Sequence, residues 1–491
     1  MSKSPEDKFE LIVKNQKDPV MTAMFLVEEN TNLLRCQGNL YQYNGKCYDI
    51  LSDKDIDQMF LNFCIKYGIT KTWDKRVSVL SAFAVYSTIH KEDKMNDYPN
   101  MLNLNNGILN IHDRSFKKRD NNDLSGYYFD SVINVDYDEK AGDCPSFMTY
   151  LNHTFNNDQD TITNIIQLGG YLLDTSCAAK KMFMFNGPGG SGKSTLIDTY
   201  SMFFVESMDA KNQVTGLSLE ELAGSGFDKA LLINSRFNPC AETKKGYIDA
   251  EEIKKIISGD VIKVRQVYSE AVNFRPKTKI VVACNGLPKF TDTSDGIYRR
   301  LCTVEFTNQY KSPSDYARIE NPDLRRIYLW DSELMDKIKE EKAAILNLFI
   351  DGLIALKANK YEFVDSEAST KALNEFKRDS DTVREFLEDN YEIDVTLTIP
   401  LKEIFTEFRY WYMENVQDTK SMKFRSAEMG KRIREVFGID GGSRHSFYNH
   451  DTKRYETTTL YTLKRKVIMP IEGEIVTEAQ ALQLGIDFND K

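Results

Sequence analysis

Apolar positions along the chain fall into three spacings, and each predicts a different kind of element. Residues 55–67, 77–90 and 145–180 place apolar side chains every three or four positions. In the last of these, Phe147, Tyr150, Leu151, Ile162, Ile165, Ile166, Leu168 and Leu172 share one face, the mark of amphipathic helices. Residues 331–357 extend the same spacing into a long helical pattern. Two stretches instead alternate around an Asn-Gly pair, LYQYNGKCY at 40–48 and MLNLNNGILNI at 101–111, and predict β-hairpins. Three short runs are apolar without interruption: Met182-Phe183-Met184-Phe185, Ala230-Leu231-Leu232-Ile233 and Ile280-Val281-Val282-Ala283-Cys284. Strands buried on both faces of a parallel sheet read this way, so the centre of the chain is expected to be α/β. From residue 381 to about 463 the order is helix, helix, basic helix, hairpin, the order of a winged helix.

These patterns divide the chain into an N-terminal α+β accessory domain (1–95), a hairpin plus helical domain (96–180) and an α/β core (181–310). A helical lid or linker (311–378), a winged-helix DNA-binding domain (379–466) and a tail (467–491) follow.

The core carries the clearest chemistry. Gly187-Pro188-Gly189-Gly190-Ser191-Gly192-Lys193-Ser194 fits GxxxxGK[ST], between an apolar strand and a helical stretch that begins near Thr195. Glycines let main-chain N–H groups approach phosphate oxygens without a Cβ in the way. The helix N-terminus adds partial positive charge. Lys193 is expected to reach the β/γ oxygens, and Ser194 to ligate Mg²⁺. The loop alone says only that a nucleotide binds.

Hydrolysis also needs a carboxylate near the end of a strand beside the loop strand. After Ile233 the chain runs Asn234-Ser235-Arg236-Phe237-Asn238-Pro239-Cys240-Ala241-Glu242, so Glu242 is the candidate, with Asp228 and Glu251 as alternatives. Asn285, at the tip of the third strand, suits a residue that positions the attacking water. Arg299 and Arg300, before a strand at 302–306, suit a finger that stabilises transferring phosphate on a neighbouring subunit. Between the second and third strands, residues 261–274 alternate as a hairpin. Lys263 and Arg265 lie two apart on it, Arg275 and Lys277 follow it, and Tyr268 at the tip could stack on a base. In the 379–466 region Lys431, Arg432 and Arg434 line the basic helix, and Arg444, Lys453 and Arg454 flank the wing.

Composition narrows the partners. The chain has 491 residues, a net charge of −10 and a pI near 5.3, which argues against a protein that coats duplex DNA. Local basic patches remain open, because a groove feels its own field and not the total charge. Eight cysteines stand singly without a CxxC pair, and five histidines are dispersed, so reduced thiols and no zinc site are expected. The N-terminus has no apolar signal region, and no apolar run reaches ~18 residues. The best run, 343–356, is broken by Asn347 and Asp351. These features point away from the membrane, to a soluble, intracellular protein.

The motifs in order are GPGGSGKST, then GYIDAEEIKKIISGDVIKVRQVYSEAVNFRPKTKIVVACNGLP, then DGIYRRLCTVEF. Together they resemble the superfamily 3 helicases, within them the phage/plasmid primase–helicase family that includes the poxvirus primase–helicase and staphylococcal cassette-chromosome helicases. The resemblance runs from about 95 to 465, taking in NNGILNI, VINVDYDEKAGDCPSFMTYL, IIQLGGYLL and AAILNLFIDGLIAL. It implies an AAA+ ATPase that uses ATP and Mg²⁺ in a bacterial host cytoplasm or at a viral replication site. Such a protein is usually a homo-hexamer moving 3′ to 5′ on single-stranded and forked DNA, with a separate primase or polymerase as a possible partner. Lys193 and Ser194 would be Walker A, Glu242 Walker B, Asn285 sensor 1 and Arg299 or Arg300 the finger. Lys263 and Arg265 would lie on the channel hairpin. Two departures stand out: residues 236–240 are extra in the Walker B segment, and the first ~95 residues leave no room for a catalytic primase domain, so a helicase without primase is expected. The rival function is an initiator or loader that uses ATP only as an assembly switch. A packaging motor finds no support, for want of a nuclease-like acidic cluster after the ATPase.

Overall fold

A computed structural model describes residues 5–466 except 31, 37–38, 70–71, 73–74, 87–94, 97, 121–123, 206–212, 225–226, 234, 241–246, 266–270, 291–294, 322–325, 365, 380, 395, 416–424, 440–441 and 450–453. The chain forms two units, one of residues 1–242, 255–285 and 304–366, the other of 243–254, 286–303 and 367–491.

The first unit is mixed α/β. Its sheet has the order Leu301–Glu305, Met182–Asn186, Lys279–Cys284, Phe237–Cys240, and the first strand enters this unit at Val304. Lys279–Cys284 runs parallel to both its neighbours, with Cys284 opposite Asn186 and Val282 opposite Cys240. All three strands therefore end on the same side. Phe183, Phe185, Val281 and Phe237 are almost fully buried, as unbroken apolar runs require.

One expected strand is corrected. Ala230-Leu231-Leu232-Ile233 lies in a 3₁₀ helix, Asp228–Ile233, with Leu231 61% exposed. The strand is Phe237–Cys240, inside the residues that read as an insertion. Asn238 disguises it, buried because its amide is consumed by Thr215 Oγ1, the Leu217 N–H and the Leu217 carbonyl. Pro239 disguises it too, since a residue without an N–H is tolerated only on an edge strand such as this one.

At the opposite end of the sheet, where two of these strands begin, Asp130 takes Lys277 at 3.2 Å and Arg236 at 3.9 Å. Burial alone would raise the Asp130 pKa. The two cations outweigh it and hold the carboxyl well below the usual range. Lys277 is thus engaged by Asp130 and does not add to the hairpin's charge.

The helix Lys342–Ala358 packs along Gln159–Leu173. A Cβ on Gly170 would lie 2.6 Å from the Leu353 nitrogen, so glycine sets the closeness of this crossing. Lys342–Ala358 contains the best apolar run of the chain. Ile345, Phe349, Ile350 and Leu353 bury against the core, and no described helix is long and apolar enough to cross a membrane. Both Asn-Gly hairpins form: Asn39–Tyr43 pairs with Tyr48–Ile50, and Met101–Leu104 with Gly107–Asn110. The four helices and three-stranded sheet at the N-terminus enclose their own core around Phe25, Leu26, Phe60 and Phe83. None of the eight cysteines is in a disulfide.

In the second unit, helices Thr382–Asn390, Leu401–Asn415 and Ser426–Phe437 precede the antiparallel strands Ser443–Asn449 and Arg454–Tyr461. Arg454–Tyr461 also pairs with Ile399–Pro400. Val383, Phe386, Ile404, Phe408, Ile433 and Tyr461 close a single core among them.

Candidate nucleotide site

Where Met182–Asn186 ends, the chain turns through residues 187–192 and enters the helix Lys193–Ser201. The turn depends on glycine. Gly187 and Gly192 have φ of 156° and 97°, and a Cβ at Gly187 would sit 2.3 Å from the Phe306 carbonyl oxygen. No side chain caps the helix at Gly192, the residue that precedes Lys193, Ser194 and Thr195. A helix N-terminus without a side-chain cap favours an anion through its partial positive charge.

Lys193 is buried to 9% exposure beneath the loop. Its Nζ donates to the carbonyls of Gly187 and Pro188 (the latter at 2.8 Å), to Ser191 Oγ at 3.2 Å and to Asn285 Oδ1 at 3.2 Å. Two predicted site residues 92 positions apart thus meet at one ammonium. Ser194 is exposed at the second position of the helix, and Thr195 is half-buried beside it.

Two tyrosines that the sequence does not single out as site residues hold the loop. Tyr150, read only as apolar helix face, donates its hydroxyl to the Gly192 carbonyl at 2.8 Å, and burial pushes its pKa well up, so it stays a donor. The Tyr310 N–H donates to the Gly190 carbonyl at 2.7 Å. Tyr310 lies on a three-residue strand, Gln309–Lys311, parallel to Ile327–Leu329. Strands this short have no periodicity to read. Loop, Asn285 and both tyrosines line one cavity of about 850 Å³.

The other predicted residues are placed as follows. Glu242, Tyr268 and Lys453 lie outside the described residues, as does the side chain of Arg454. Asp228 opens the 3₁₀ helix Asp228–Ile233, upstream of the strand Phe237–Cys240. Glu251 begins the helix Glu251–Ser258, its N–H bonded to Asp249. Arg299 is exposed, and Arg300 is half-buried with Nη1 donating to the Gly296 carbonyl one helical turn back. The hairpin pairs Ile262–Arg265 with Ala271–Phe274. Ile262 and Val264 are buried on one face, Lys263 and Arg265 exposed on the other.

On the basic helix Lys431 and Arg434 are exposed, while Arg432 ion-pairs with Asp381 and Glu435. Asp381 also caps Thr382–Asn390, so Arg432 ties two helices together instead of facing outward. Arg444 is exposed on Ser443–Asn449. Among the described residues no cluster of His, Cys, Asp and Glu could hold a metal.

Comparison with known proteins gives two family matches, each over part of the chain. Residues 23–156 match the family described as D5 N terminal like, and residues 185–300 match a family of unknown function, DUF5906. The chain is 25% identical over 448 residues to the putative helicase L207/L206 of Acanthamoeba polyphaga mimivirus, spanning 80% of this chain and 45% of that protein. It is 21% identical to the putative helicase 121R of Invertebrate iridescent virus 3, over 71% of this chain and 38% of that protein. To the uncoating factor OPG117 of Variola virus it is 26% identical, over 52% and 34%. The chain thus spans less than half the length of these relatives. Among solved structures, the NrS-1 C-terminal region aligns with 91% of this chain and all of that one, at 12% identity and a TM-score of 0.44. The chain is therefore similar to viral proteins named as putative helicases, and its residues 23–156 are similar to the D5 N terminal like family.

Proposed function

We propose that the chain is an ATP-dependent DNA helicase for replication of a virus, phage or mobile element, built on an AAA+ core of the superfamily 3 type. The observation that carries this reading is the convergence of Lys193 and Asn285 at an uncapped helix N-terminus. The residues fit ATP with Mg²⁺. The loop N–H groups and Lys193 would hold the phosphates, and Ser194, with Glu242 two residues past Phe237–Cys240, would hold the metal. When bound, Mg²⁺ would supply neutralisation of the phosphate charge. Asn285 orients the attacking water, and Arg299 or Arg300 serves a neighbouring subunit of a homo-hexameric ring.

Lys263 and Arg265 grip single-stranded DNA in this reading, with Tyr268 at the hairpin tip. The second unit is a winged helix in which Lys431, Arg434, Arg444, Lys453 and Arg454 approach duplex DNA. Movement is 3′ to 5′, and a separate primase or polymerase would be the partner at the fork. Mg²⁺-dependent ATP hydrolysis with and without single-stranded DNA tests the proposal. Strong stimulation is expected, with Lys193→Ala abolishing hydrolysis. A Lys193→Ala rate within about twofold of wild type would remove the reading, since the loop lysine acts on the transferring phosphate itself. Hydrolysis indifferent to DNA would favour an assembly switch.

A further inference from the structure

Beside the loop, the cavity has a second, apolar wall whose exposure the core does not explain. Leu329 and Trp330 are 53% and 55% exposed. Both line the cavity that contains the loop, with Pro145, Leu334 and Lys337. The wall is fixed to the loop by main-chain bonds. Gly190 accepts from the Tyr310 N–H at 2.7 Å, and the next residue, Lys311, accepts from the Trp330 N–H at 2.8 Å. Trp330 thus stands one short strand pair away from the phosphate-binding turn. Lys337 at the rim is already paired with Asp331 at 2.8 Å, so the wall offers surface more than charge.

We propose that Leu329 and Trp330 form the base-binding wall of the site, taking the heteroaromatic base of a nucleoside triphosphate whose phosphates lie on the loop. The proposal rests on the nucleotide reading above and adds where the base goes. A flat apolar surface beside an anion site is what a nucleoside triphosphate needs, since its base has π-faces and its phosphates carry the charge. Stacking of a base on an aromatic ring contributes about 1–3 kcal/mol, or roughly 5- to 150-fold in affinity.

The test is equilibrium binding of Mg²⁺-ATP and of inorganic tripolyphosphate to the full chain. Wild type is expected to bind both. Trp330→Ala should weaken ATP by on the order of tenfold and leave tripolyphosphate within about twofold, since the latter has no base to stack. Trp330→Phe, which keeps a ring, should restore most of the ATP affinity, and Lys193→Ala should weaken both ligands. ATP affinity unchanged in Trp330→Ala would overturn the proposal. So would an equal loss for tripolyphosphate, which would mean that Trp330 supports the loop and not the base. Wild-type protein that binds neither ligand would sink the nucleotide reading itself, and the base wall with it.

Discussion

Lys193 already satisfies its ammonium with two carbonyls, a hydroxyl and the Asn285 amide oxygen. A buried ammonium without such partners would be costly, so the loop carbonyls keep the side chain pointed under the turn. A phosphate that reaches the loop offers charged acceptors in place of neutral ones, and such bonds are about twice as strong. Asn285 meets the same ammonium at the end of the neighbouring strand, and in the proposed reading it faces the terminal phosphate and its attacking water. Its contribution should therefore be felt in the chemical step and much less in binding. Asn285→Ala is expected to lower the hydrolysis rate on the order of 10²-fold, the usual loss for one positioned polar group. ATP affinity should stay within about threefold, because the loop N–H groups and Lys193 remain. Steady-state kinetics alongside direct binding separate the two, and a rate within about fivefold of wild type would deprive Asn285 of its role.

Among the elements, the hairpin decides between a motor and a switch. Ile262 and Val264 anchor it through one face, and the period of two puts Lys263 and Arg265 together on the other. Phosphate contacts from that face carry little sequence information, which suits movement over any DNA. Replacing both with alanine should weaken single-stranded DNA binding and flatten its salt dependence by roughly 0.7 in log K per lost contact per decade of salt. DNA stimulation of hydrolysis should vanish while basal hydrolysis survives, because the loop is built separately. A double variant that unwinds a forked duplex at the wild-type rate would make the hairpin structural.

The hairpin, the loop strand and the third strand were legible because each shows its burial as a local pattern. Phe237–Cys240 was not, since Asn238 is buried through hydrogen bonds and Pro239 is tolerated by an edge position, neither of which a pattern of apolar residues records. Leu231 misled in the opposite direction, an apolar residue in a run whose 3₁₀ turn leaves it exposed. The loop lysine and Asn285 were legible from residue type and place. The Tyr150, Tyr310 and Trp330 side of the site depends on contacts 42 to 120 residues away from the loop along the chain, as the Tyr150–Gly192 and Tyr310–Gly190 bonds show, and no local signal reports those.

At the scale of the whole molecule, the loop and the candidate finger belong to different units. Lys193 lies in the first, Arg299 and Arg300 in the segment 286–303 of the second. A ring uses a head-to-tail interface, in which each subunit offers its loop to one neighbour and its finger to the other. A finger acts on charge that develops in the transition state, so Arg300→Ala should leave ATP binding intact and lower hydrolysis by about 10³–10⁵-fold. The trans geometry makes a second demand. Arg300→Ala subunits keep an intact loop, and Lys193→Ala subunits keep an intact finger. Mixed in equal amounts, about a quarter of head-to-tail interfaces would pair an intact loop with an intact finger. Two nearly inactive proteins should then regain up to about a quarter of wild-type hydrolysis on mixing, with a maximum near equal proportions. Arg299→Ala in the same assay shows which arginine is the finger, since only the finger variant is both inactive alone and rescued. If neither arginine variant is rescued at any ratio, although each co-assembles with wild-type protein, these arginines act within their own subunit and the ring mechanism loses its shared active site.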